Sequence, residues 1–171
     1  MNLLSKIVDD LISTQETIIY SWVDIFDGVA SERNAIKITV ESSVNKFFNV
    51  TEKTLKAPLS SLKQDFLTVT SNGLSGYRQF VGIANYGKDL QVSHFCTINS
   101  GIFREIFDNK LKGELTSRQI LIIIDLISWI TFVDHTIQRS LNEYIPDRQK
   151  KKVTNPITIK DFKSDIYGLR G

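Results

Sequence analysis

The sequence predicts an α+β protein that is mainly helical, with three long helices, a short one, one antiparallel β-hairpin and a basic C-terminal tail. Three observations lead there. Apolar residues recur at three- and four-residue spacing over 2–26, 32–71 and 117–145. Two strand-like runs within 77–98 flank a Gly-containing turn signal. Composition is that of a folded domain, with 42% hydrophobic and 23% charged residues in 171.

The first helix is expected over 2–26. Leu4, Val8, Leu11, Ile18, Trp22 and Phe26 fall near the helical period, Asp9, Asp10, Ser13 and Glu16 fill the other side, and Gly28 stands as a stop. Ser31-Glu32 opens a second helix whose stripe runs Ile36, Val40, Val44, Phe47, Leu55, Leu59, Leu62, Phe66, Val69. Pro58 should break it near Lys56–Ala57, and Asn72-Gly73 ends it. Ile36–Glu41 also alternates strictly and is β-branched, as a half-buried strand would be. The longer-range spacing favours helix.

Tyr77–Asn85 and Leu90–Ile98 read as the two strands of the hairpin. A lone hairpin is marginal in water, so it must pack on helices or gain a strand, for which Val153–Ile159 is a candidate donor. Gly101–Lys112 reads as a short helix. Thr116 and Gln119 then form a capping box at the head of a strongly apolar helix that runs to Pro146. The expected organisation is a single helical domain over 1–147 and a basic extension over 148–171.

Net charge is +2 but sorted: −4 over 1–28, −3 over 114–147 and +5 over 148–171. Arg148, Lys150, Lys151 and Lys152 cluster at the start of the tail, suited to an acidic protein surface or an anionic membrane. No recognition helix or aromatic platform is interleaved with them, so specific nucleic-acid reading is not expected. Asp9, Asp10 and Glu16 interrupt the apolar N-terminus, so no secretory leader is expected, and with a single cysteine the cytoplasm is the expected compartment.

Ile120–Val133 raises the question of a membrane. Fourteen residues span about 21 Å, short of a hydrocarbon layer of roughly 30 Å. Asp125 within it would cost about 2.5–3.5 kcal/mol on insertion. A buried core helix is the better expectation, with Asp125, Ser128, Thr131 and His135 as a narrow polar stripe along it.

Catalytic signatures are scarce. His94 and Cys96 share one face of the second hairpin strand, but neighbours two apart on a strand do not give a nucleophile and base the approach they need, so a buried thiol and a hydrogen-bonded histidine are the better expectation. No phosphate loop, dinucleotide fingerprint, zinc-protease motif or nucleophile elbow occurs in the chain. No cofactor and no metal site are expected.

The functional expectation is therefore a non-catalytic structural or regulatory subunit. It would assemble into a homo- or hetero-oligomer through coiled-coil-like apolar helix faces marked by Leu4, Leu11, Ile18, Trp22, Phe26, Phe47 and Phe66. The alternative is a membrane-associated or pore-forming effector, peripheral at first, using the N-terminal helix and 120–133.

Overall fold

The computed structural model describes residues 16–56, 63–146 and 150–151. Its centre is an antiparallel sheet rather than a helical bundle. Strand β1 (Glu16–Phe26) leads through a 3-10 turn at Ala30–Glu32 into helix α1 (Arg33–Val44). Four strands follow: β2 (Asn49–Lys56), β3 (Lys63–Thr70), β4 (Tyr77–Tyr86) and β5 (Asp89–Asn99). Helices α2 (Ser100–Leu111) and α3 (Ser117–Tyr144) come next, and a two-residue strand, β6 (Lys150–Lys151), closes the described chain. Across the sheet the order is β2-β3-β4-β5-β1-β6, every neighbouring pair antiparallel.

The mainly helical expectation is thus corrected at two places. Residues 16–26 form a strand paired with β5, not the end of a helix. Ile18, Trp22 and Phe26 are four apart, and a spacing of four satisfies a period of two as well as one of 3.6. What decides is the β-branched and aromatic run Thr17-Ile18-Ile19-Tyr20 and Trp22-Val23, which fits a pleated surface and pairs along the whole of β5. Likewise 32–71 is not one interrupted helix. It contains α1 and then β2 and β3, which pair from Asn49↔Thr70 to Lys56↔Lys63. Helix faces long enough for a coiled coil over 2–26 and 32–71 are therefore absent from the described residues. Leu4, Leu11, Pro58 and the candidate strand at 153–159 lie outside them.

The hairpin at 77–98 exists, as β4–β5, but it forms the middle of the sheet. Gly87 takes φ +63° at the first central position of its two-residue turn and Lys88 stays at negative φ, the pattern of a type II′ turn. Ile36–Glu41 is helical. Ile36, Val40 and Val44 are buried along one side of α1 while Ile38 is 64% exposed.

One face of the sheet carries Leu67, Val69, Val81, Ile83, Val92, Cys96 and Ile98, alternate residues of β3, β4 and β5. Onto it pack the inner side of α1 and the line Leu126, Trp129, Val133, Ile137, Leu141 of α3. Each large side chain so buried contributes about 1.5–3 kcal/mol. Arg33 donates to the Ile83 carbonyl at 3.0 Å and pairs with Asp65 at 3.6 Å, and Lys37 pairs with Glu52, so α1 is also tied to β2–β4. The opposite face holds a second aromatic set. Phe80 stacks on Phe95 at 4.8 Å, Phe66 meets Phe95 edge-on at 5.7 Å, and the Arg78 guanidinium, paired with Glu16, lies 5.5 Å over the Phe80 ring.

Candidate functional site

Helix α3 is 28 residues long, about 42 Å at 1.5 Å per residue. It begins with the capping box expected from the sequence, Thr116 accepting from the Gln119 N–H and Gln119 reaching back to the Thr116 N–H at 3.0 Å. Its C-terminal part is core. Its first turns are not: Ile120, Leu121 and Ile124 are 45%, 62% and 51% exposed. The polar stripe Asp125, Ser128, Thr131, His135 faces solvent. Leu121 and Ile124 extend that same outward line toward the helix start, so the exposed face changes from apolar to polar at mid-helix. Ser128, Thr136 and Ser140 donate their hydroxyls to carbonyls four residues back, which satisfies them within an apolar helix.

Between the end of α1 and the middle of α3 lies a hollow of about 500 Å³. The chain turns after Val44, whose carbonyl accepts from the N–H groups of both Phe47 and Phe48, and this presents the two rings to α3. Phe47 meets Phe132 at 5.3 Å, and Phe48 meets Phe132 at 5.5 Å and Trp129 at 6.0 Å. Leu74 and the Ser71–Gly73 turn complete the wall, with Asp125 and Ser128 contributed by α3. A second hollow of about 380 Å³ lies beyond the Phe47–Phe132 pair and is polar, with Lys46, Arg139 and Glu143 along it.

Behind the groove is a buried polar network spanning β1, β4, β5 and α3. Gln79 donates to the Trp129 carbonyl at 3.3 Å, and its Oε1 lies 2.7 Å from His94 Nε2. With the amide so oriented, Nε2 must carry the imidazole hydrogen. His94 Nδ1 is 3.4 Å from Asp134 Oδ1, which accepts from Trp22 Nε1 at 2.7 Å. Tyr20 hydrogen-bonds the same carboxylate, and its ring stands edge-on to His94 at 5.2 Å.

Burial pushes the His94 pKa below its ordinary 6.5, outweighing the attraction of Asp134, so the imidazole is neutral at neutral pH. Burial alone would raise Asp134, but His94 first, and then the hydrogen bonds from Trp22 and Tyr20, hold its carboxyl below the usual range. The Tyr20 phenol is pushed up by burial and by the Asp134 carboxylate. Burial likewise pushes up the Cys96 thiol, whose hydrogen-bond acceptor is the Thr97 carbonyl at 3.8 Å. A raised thiol beside an imidazole already engaged elsewhere is not an activated nucleophile.

No family model, curated protein or solved structure matches this chain.

The residues singled out from sequence are scattered by the fold. Phe26 and Phe66 are buried, on opposite faces of the sheet; Ile18 and Trp22 are half-buried on β1; Phe47 alone is largely exposed, at 68%. Lys150 and Lys151 pair with Phe26 and Ile25 as β6, while Arg148 and Lys152 lie outside the described residues. Among the described residues no group of three His, Cys, Asp or Glu side chains is placed to hold a metal ion. Sequence reasoning missed Gln79, Asp134 and the aromatic pair Phe48–Phe132. Asp134 had a signal: it adjoins Val133 and precedes Ile137 by three, which sets it beside the buried line of α3.

Proposed function

We propose that the protein is a non-catalytic interaction subunit that associates with a second copy of itself through the outward face of the first turns of α3. The observation that carries this reading is the exposure of Ile120, Leu121 and Ile124 together on a well-capped helix whose outward line is otherwise polar. Contiguous apolar surface of this kind is a marker of association. Of the two helices first expected to supply the interface, 16–26 is a strand and 32–71 holds only the short α1 ahead of β2 and β3, so the interface moves to α3.

Light scattering after size exclusion tests the proposal. The wild-type chain should give a discrete oligomer, and Leu121→Lys with Ile124→Lys should give a monomer with an unchanged circular dichroism spectrum. Equal masses for wild type and variant would overturn it.

A second reading is favoured by the same helix, which is long and apolar enough to cross a bilayer and has only 22% of its most apolar stretch buried. Dye release from anionic vesicles by the wild type, lost in the same double variant, would favour a membrane role. The remainder of α3 argues against it, because Trp129, Val133, Ile137 and Leu141 are already buried against the sheet.

A further inference from the structure

We propose that the groove between α1 and α3 is a binding site for a small arylalkyl amine. The inference is independent of self-association and starts from what lines the groove. Phe47, Phe48, Trp129 and Phe132 give it aromatic walls, and Leu74 adds an aliphatic one. Its volume of about 500 Å³ suits a small organic molecule. Phe47 is 68% exposed, yet its ring is held edge-on to Phe132 and forms a standing wall rather than a buried plug.

Charge then selects among apolar ligands. Among the described residues, Asp125 is the one ionisable side chain lining this hollow, and it makes no ion pair. The cationic Lys46 and Arg139 lie in the separate polar hollow beyond Phe47 and Phe132. A ring entering the groove gains contact with the aromatic walls whatever its charge. An ammonium tethered to that ring gains Asp125 and the π faces of the walls in addition. A tethered carboxylate would be repelled by Asp125, and a neutral hydroxyl would leave it without a counter-charge. Ser128 cannot offset this by donating, because its hydroxyl hydrogen is committed to the Ile124 carbonyl at 2.9 Å.

Three probes of nearly equal shape separate these contributions: phenethylamine, 2-phenylethanol and 3-phenylpropionate, each titrated into the full chain and followed by two-dimensional NMR. The amine should give saturable shifts centred on Phe47, Phe48, Ser128 and the Trp129 indole. It should bind about five- to tenfold more tightly than the alcohol, an exposed ion pair and a cation–π contact each supplying a factor of a few, and the carboxylate should bind most weakly. Asp125→Asn should abolish the preference for amine over alcohol while leaving the affinity for the alcohol unchanged. Phe47→Ala, at an exposed position, should weaken all three.

Equal affinity for amine and alcohol in the wild type, a preference that survives in Asp125→Asn, or shifts that do not saturate would each overturn the proposal. Leu121→Gln with Ile124→Gln, which removes apolar surface without placing a cation beside Asp125, should leave amine binding intact, which separates this site from the association surface.

Discussion

His94 Nε2 lies 2.7 Å from Gln79 Oε1, inside the protein and with no access to water. Gln79 is itself anchored by the Trp129 carbonyl, so the strand pair β4–β5 and helix α3 are joined through one amide. Replacing Gln79 by Leu keeps the volume and removes the acceptor. The imidazole Nε2 is then buried without a partner in either tautomer, which costs about 1–3 kcal/mol. Urea denaturation of Gln79→Leu should show a loss of that size with an unchanged slope. A variant as stable as the wild type would mean that the hydrogen bond contributes nothing net.

The same histidine makes stability depend on pH. In the unfolded chain it takes up a proton near pH 6.5, whereas in the folded chain burial holds its pKa lower. Between those two values the unfolded state binds more protons, so folding weakens as pH falls through 6.5 and the loss levels off below the folded pKa. Asp134 acts in a lower window. Its depressed pKa stabilises the fold above about 3.8, and that contribution disappears as pH falls through its folded value. Denaturation midpoints measured from pH 8 to 5 should decline below about 6.5 in the wild type, and His94→Gln should flatten that decline. An equal decline in both proteins would assign it to other groups.

Gly82 sits where β4 passes beneath the Phe66 ring. A Cβ at this position would lie 2.7 Å from Phe66 Cε1 and 2.4 Å from Ser93 Oγ. Phe66 is buried and packed against Phe95, so its ring has little room to yield. Gly82→Ala should therefore cost about 1–3 kcal/mol by overpacking, despite the better strand propensity of alanine. Adding Phe66→Leu should return part of the loss in a double-mutant cycle. Strictly additive effects would show that ring and methyl do not compete.

The parts legible in the sequence were those where local signals agreed. The capping box of α3, the hairpin turn at Gly87 and the buried four-residue line of α1 each appear in the structure where the residues placed them. The parts that were not legible had patterns that two periods share. Ile18, Trp22 and Phe26 suit either a helix or a strand, and only pairing with β5 decides between them. The candidate site was harder still. Trp22, Gln79, His94 and Asp134 are brought together by sheet register and by helix packing across as many as 112 residues. Spacing along the chain carries no trace of that.

Ile36 and Ile38 put the shared-period problem to a direct test. In a strand they would point the same way and matter equally. In α1 they do not, since Ile36 is fully buried against the core and Ile38 is 64% exposed. Ile36→Ala removes packed methyl groups and leaves a cavity, at a cost of about 2–5 kcal/mol. Ile38→Ala removes surface that water already touches and replaces a β-branched residue with the best helix former, so its effect should lie within about 0.5 kcal/mol of zero or be slightly stabilising. Thermal unfolding of the two variants side by side measures the difference. Equal losses would require 36–41 to be a strand, and with it a different placement of everything packed on α1.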